Sequence, residues 1–224
     1  MKKTILYILV SLLIFAFFAS SIIVRAEEPD SDSNFSQFTS QSYILIEPTS
    51  HTVLANCKEN DKYEVASIVK LMTLLITFEA LDNGKISLDQ NVYPSEHACS
   101  VEGSQAFLDA GIEYNLKNLI KTVIAASAND SSVVLAETVS GSESQFVKLM
   151  NQRAQELGMT NTLYANATGL PAENQYSTAS DTATLLYEVS KYDLFKEDSQ
   201  IWMDKLIHPS GRETELVNTN RLIR

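Results

Sequence analysis

Apolar and polar positions divide the chain into blocks with different periods. Residues 4–24 form an uncharged run behind Lys2-Lys3, and residues 27–40 (EEPDSDSNFSQFTS) then turn acidic and Ser-rich with little to bury. From 42 to 57 the pattern is short-period: Tyr43, Leu45 and Val53 alternate with other residues around a Pro-Thr-Ser-His turn, which predicts two short strands. Residues 67–81 (SIVKLMTLLITFEAL) are apolar on nearly every side and stop at Asn83-Gly84, as a buried helix would. Asn115 stands as the N-cap of a helix over Leu116 to Ala126, and a second apolar helix follows a polar corner at Ser127 to Asp130. Ser142-Glu-Ser-Gln145 has the form of a capping box, with Phe146, Met150, Ala154 and Leu157 at helical spacing before Gly158. A further helix begins near Ser177 and carries Ala183, Leu186 and Val189, after a long Asn/Thr/Gly/Pro-rich loop from Met159 to Tyr176.

This order divides the chain into residues 1–26, a flexible acidic linker over 27–41, and one folded domain over 42–224. The first block is a secretory signal cleaved after Val24-Arg25-Ala26, or a membrane anchor through residues 4–24, since a run of 21 residues can span a bilayer. Either reading places the domain outside the cytoplasmic membrane. Removing residues 1–26 takes away Lys2, Lys3 and Arg25 and no acid, moving the formal charge from −11 to −14. That balance argues against nucleic acid or an anionic membrane surface as partner.

The chemistry-bearing pattern is Ser67-Ile-Val-Lys70, followed sixty residues after its serine by Ser127-Ala-Asn129. A serine hydroxyl needs a base within hydrogen-bond reach, and a lysine three residues along a helix shares its face. Ser67 would sit in the first helical turn, where unpaired N–H groups favour a developing oxyanion. Burial would help Lys70, because a lysine must be neutral to accept a proton and desolvation lowers its pKa. Each pattern alone has a plainer reading: a helix start followed by a solvated lysine, and a helix break with a recap. Together, a Ser/Asn corner between two apolar helices can lay a hydroxyl and an amide beside the first helix's N-terminus, one to relay protons and one to hold a substrate carbonyl.

Several further segments agree in order: Ala66 to Thr73, Ser95-Glu-His97, Gly103-Ser-Gln-Ala-Phe-Leu, Ser127 to Asp130, Glu156 to Asn161, Thr168-Gly-Leu-Pro171, Tyr176 to Asp181 and Asn218-Thr-Asn-Arg-Leu. With these the chain, from about Ser42 onward, resembles the serine-type D-alanyl-D-alanine carboxypeptidases, low-molecular-mass penicillin-binding proteins of peptidase family S11. The resemblance implies an α/β (α+β) fold of the penicillin-binding/β-lactamase-like transpeptidase type, with a helical subdomain and an antiparallel sheet. It implies a peptidoglycan stem peptide ending in D-Ala-D-Ala as substrate and β-lactams as inhibitors. Ser67 would be the acylated nucleophile, Lys70 its base, Ser127 the proton shuttle to the leaving amine and Asn129 the holder of the substrate amide. No cofactor is implied.

The family also carries a Lys-Thr-Gly motif on a strand lining the site, shortly after the segment matched by Asn218 to Leu222. The Lys-Thr pair in this sequence, Lys121-Thr122, is followed by Val and lies inside a predicted helix. The expectation is a chain cut before that motif, with two of five sheet strands, an open edge beside the Ser67 helix, and little or no activity alone. Loss of one oxyanion donor typically costs about 10²–10³ in kcat. Two other readings compete. One is a non-catalytic peptidoglycan or β-lactam binding protein, against which the joint presence of Ser67, Lys70, Ser127 and Asn129 argues. The other is a class A β-lactamase, whose Glu-x-x-Leu-Asn arrangement is absent from Gly169-Leu-Pro171-Ala-Glu-Asn174. His51, His97 and His208 lack ligand spacing, so no metal site is expected, and His97 reads as structural. Cys57 and Cys99 are expected to be buried free thiols, although export permits a bridge.

Overall fold

A computed structural model describes residues 39–223; the signal or anchor reading of residues 1–26, and most of the linker, lie outside these. The elements are β1 (Tyr43–Glu47), β2 (Thr52–Cys57), a 3-10 turn (Ala66–Val69), α1 (Lys70–Asp82), β3 (Asn91–Val92), α2 (Glu96–Ser100), β4 (Tyr114–Asn115), α3 (Leu116–Ala126), α4 (Asn129–Ser140), α5 (Glu143–Glu156), α6 (Ala179–Val189), α7 (Asp193–Ser199), β5 (Met203–Ile207) and β6 (Glu213–Val217), then a 3-10 turn at Arg221–Ile223. Among the described residues the strands form three separate antiparallel pairs, β1 with β2, β3 with β4 and β5 with β6. The architecture is therefore mixed α/β, as expected. No helix among these residues is long and apolar enough to cross a membrane.

α1 is the axis of the helical body, packed by α4, α5 and α6. Met72, Leu74, Leu75, Ile76 and Phe78 are buried along it, and Phe78 stacks on Tyr192 at 4.8 Å between ring centroids. A helix apolar all round has to be enclosed, and its polar side chains must then find partners. They do: Thr73 Oγ1 donates to Ala167 O at 2.8 Å and Thr77 Oγ1 to Thr73 O at 2.7 Å. α3 buries Leu116, Leu119, Ile120 and Val123, the i, i+3, i+4, i+7 stripe of an amphipathic helix.

Five local expectations change. The α-helix starts at Lys70, and Ser67 sits in the 3-10 turn leading into it. Asn115 does occupy the N-cap position of α3, but its side chain makes no capping bond. At α5, Ser142 Oγ accepts from Gln145 N at 3.3 Å, while the Gln145 side chain accepts from Lys148 instead of reaching back, so only half of the capping box forms. On α6 the buried apolar residues are Leu185 and Val189, and Leu186 is 46% exposed: of two adjacent leucines, the stripe takes the other. In the first hairpin Leu45 and Val53 are exposed and Ala55 is buried, with a register shift between Leu45 and Ile46 that breaks the simple alternation. Cys57 and Cys99 are free thiols, each half-buried.

Candidate active site

Ser67 reaches the surface of a cleft of about 490 Å³ lined by Lys70, Leu71, Val123, Ser127, Phe195 and Asn220, among others. The 3-10 turn exposes the serine while placing Lys70, three residues on, in the buried first turn of α1. Lys70 Nζ lies 3.2 Å from Ser67 Oγ. Its other contact is Thr168 O, to which it donates at 2.6 Å. Lys70 is only 4% exposed, and burial pulls its pKa down to about 8. An appreciable fraction of the amine is then neutral near neutral pH and able to take the serine's proton.

The Asn/Thr/Gly/Pro-rich loop from Met159 to Tyr176 supplies that carbonyl. Asn166 Oδ1 accepts from Thr168 N, Thr168 Oγ1 and Gly169 N, which curls the chain into a compact turn. Glu143 Oε1 accepts from Ala167 N at 2.9 Å, and its Oε2 meets His97 Nε2 at 2.8 Å. His97 thus has a structural partner. Gly169 adopts φ +82°, and a Cβ there would stand 1.9 Å from Ala66 O and 3.0 Å from Ser67 N. The absence of a side chain at 169 is what lets this loop close on the serine turn. Sequence reasoning missed Thr168 because a backbone carbonyl has no residue signature; the glycine after it was the available signal.

Ser127 joins α3 to α4 in the left-handed region, φ 56°, ψ 38°. Its Oγ is buried and has no hydrogen-bond partner among the described residues. A left-handed non-glycine backbone and an unpaired buried hydroxyl each carry a cost, and such features gather at functional sites. Asn129, at the head of α4, is 4% exposed, and its Nδ2 donates to Glu102 O at 2.6 Å. The structure therefore brings Ser67, Lys70 and Ser127 to one cleft, with Asn129 two residues beyond Ser127 and anchored to the 102–104 backbone. Among the described residues no group of three His, Cys, Asp or Glu side chains stands together that could hold a metal ion.

A serine touching a buried lysine at the head of an enclosed helix, with a second serine in the same cleft, has the geometry that Ser-Lys acyl transfer requires. Penicillin-binding protein 5 of Haemophilus influenzae superposes with a TM-score of 0.78 at 29% identity over 84% of this chain and 54% of that one. The family model of D-alanyl-D-alanine carboxypeptidases matches residues 25–224. D-alanyl-D-alanine carboxypeptidase DacF of Bacillus subtilis is 39% identical over all of this chain and 57% of its own length, and DacC of Escherichia coli is 33% identical over 82% of this chain and 46% of its own. The chain belongs to the D-alanyl-D-alanine carboxypeptidase family of serine peptidases. It spans about half the length of the curated relatives it matches.

Proposed function

We propose that this chain is the catalytic part of a peptidoglycan D,D-carboxypeptidase acting outside the cytoplasmic membrane, removing the terminal D-Ala from stem peptides ending in D-Ala-D-Ala. The observation that carries the reading is the 3.2 Å contact between Ser67 Oγ and the Nζ of a lysine whose pKa burial lowers to about 8. Neutral Lys70 takes the Ser67 proton as Oγ attacks the carbonyl carbon of the penultimate D-Ala. The oxyanion forms beside the N-terminus of the helical segment, where backbone N–H groups and the helix dipole favour negative charge. Ser127, its hydroxyl free of other partners, passes a proton to the departing amine; the C–N bond breaks and D-Ala leaves. Asn129 holds the substrate's amide. Water then attacks the Ser67 ester, releasing the shortened stem and restoring the hydroxyl. A β-lactam, whose strained amide imitates the scissile bond, acylates the same oxygen. Export fits a substrate that lies in the cell wall, and Lys2-Lys3 before the apolar run supports it.

The test is intact mass after incubation with benzylpenicillin, followed by release of D-Ala from an acyl-D-Ala-D-Ala peptide. The expected result is a single adduct of the drug's full mass on the native protein carried through the family's Lys-Thr-Gly strand, and none on its Ser67→Ala variant. An adduct that survives Ser67→Ala, or no adduct on the native protein, would overturn the assignment.

A further inference from the structure

Asn129 owes its position to the segment 102–109. Its N–H donates to Ser104 O at 2.7 Å and its Nδ2 to Glu102 O at 2.6 Å. A Cβ on Gly103 would lie 2.8 Å from that Nδ2, so the backbone is laid directly against the amide. The segment is gripped again a few residues on. Asp130, next to Asn129 on α4, accepts from Ala106 N at 2.9 Å and Leu108 N at 3.1 Å. Between these two bonds Phe107 is turned outward, φ 59° and 57% exposed. A bulky residue in the left-handed region persists only where its surroundings over-determine it.

The remaining constraint comes from the β5–β6 hairpin, about a hundred residues away in sequence. Arg212 Nη2 donates to Phe107 O at 2.6 Å and to Asp109 Oδ2 at 3.0 Å. Beside it His208 is fully enclosed, with Nδ1 2.8 Å from Tyr114 Oη and Nε2 2.8 Å from Thr214 Oγ1. Asp109 N in turn donates to Tyr114 Oη at 3.2 Å. The hairpin has its own anchorage, because Leu206 and Leu216 are buried in the main core. Arg212 itself is 41% exposed along its side chain, so truncating it opens no core cavity and leaves the hairpin seated.

We propose that Arg212 is a positioning residue for the reaction: through Phe107 and Asp109 it fixes the segment that aims Asn129. The proposal rests on the carboxypeptidase reading, in which Asn129 holds the substrate amide.

The experiment uses the full-length protein as Arg212→Ala, Arg212→Lys and, as a control on the same hairpin, Lys205→Ala. Amide hydrogen exchange and the concentration dependence of benzylpenicillin acylation are measured on each. In Arg212→Ala the amides of Ala106, Leu108 and Asn129 exchange at least tenfold faster, while those of Met150 and Ala154 in α5 keep their native rates. Acylation weakens about tenfold, chiefly through a higher half-saturating concentration. Arg212→Lys, with one compact ammonium in place of a fork, falls between, and Lys205→Ala matches the native protein. Native exchange at the three amides, an equal rise in α5, or unchanged acylation would each overturn the proposal. A native protein that is not acylated removes the carboxypeptidase reading and this role together; a reactive native protein with an equally reactive Arg212→Ala removes this role alone.

Discussion

With Lys70 as the proposed base, its titration should set how acylation depends on pH. Its ammonium is held in a buried site between a hydroxyl and a carbonyl, and burial brings its pKa from 10.5 to about 8. The base form grows as pH rises through 8, so the penicillin acylation rate should climb about tenfold per unit below that value and level off above it; a profile flat from pH 6 to 9 would remove Lys70 as the base. The same shift has a sign for stability. Between about 8 and 10.5 the unfolded lysine holds a proton that the folded one has lost, so the cost of burying the cation is full below 8 and gone above 10.5. Lys70→Met should therefore melt higher than the native protein at pH 7, with a difference that shrinks as pH passes 8. Gly169 is the second decisive residue. Gly169→Ala places a methyl 1.9 Å from Ala66 O at φ +82°, and only movement of the loop or the serine turn relieves it. Acylation should drop by two orders of magnitude or more, with a melting temperature several degrees lower; native kinetics would show that the contact does not matter. At this scale the Ser67–Lys70 contact was legible in sequence because its three-residue spacing is local, whereas Ser127 reaches the same cleft only through the packing of α3 against α4 and of α4 against α1. The Thr168 carbonyl was not legible, because the atom that binds Lys70 is the same in every residue.

Whole elements decide whether those residues keep their geometry. The turn from Asn166 to Gly169 is suspended from α5 by one carboxylate, Glu143, at that helix's first position. Glu143→Ala deletes the acceptor for Ala167 N and frees the turn that presents Thr168 O to Lys70. Acylation should fall roughly tenfold, and Glu143→Gln, which keeps an oxygen for Ala167 N, should restore most of it. Equal losses in the two variants would instead point to the charge and its His97 contact as what matters. Helix limits were read well where the apolar stripe is unbroken: α3 runs from Leu116 to Ala126 as its pattern predicts, although Asn115 makes no side-chain cap. Facing was harder. Leu185 and Leu186 are equivalent in composition, and only the way α6 lies on α1 decides which one is buried. The β1–β2 register has the same character, since the shift after Leu45 comes from pairing that no single strand encodes.

Across the whole molecule the hairpin latch ties the cleft to the pH of its surroundings. His208 joins residues 94 positions apart through Tyr114, a contact invisible in sequence, where the histidine carried no partner signal. Arg212 can only donate, and it stands 3.1 Å from His208 Nδ1, which makes Nδ1 the acceptor of the ring and leaves the proton on Nε2, aimed at Thr214 Oγ1. The groups facing the ring are Arg212, Asp109, Asp130 and Tyr114. Burial first, and the Arg212 guanidinium second, hold the His208 pKa below 6.5 against the two carboxylates. The neutral ring is thus the form that folding favours. Its contribution is complete above about pH 6.5 and is lost as pH falls through the lowered folded pKa, when a proton on Nδ1 would place a second cation beside Arg212 in a buried site. His208→Gln cannot titrate, so it should melt lower than the native protein at pH 7, and its melting temperature should fall less than the native one between pH 7 and pH 5. The difference curve between the two proteins isolates the histidine from the general acid lability of the carboxylates. Parallel curves would mean that the latch is insensitive to protonation, whereas convergence toward pH 5, accompanied by faster exchange at Ala106 and Leu108 in the native protein alone, would locate the acid-labile point of the fold at the segment that holds Asn129.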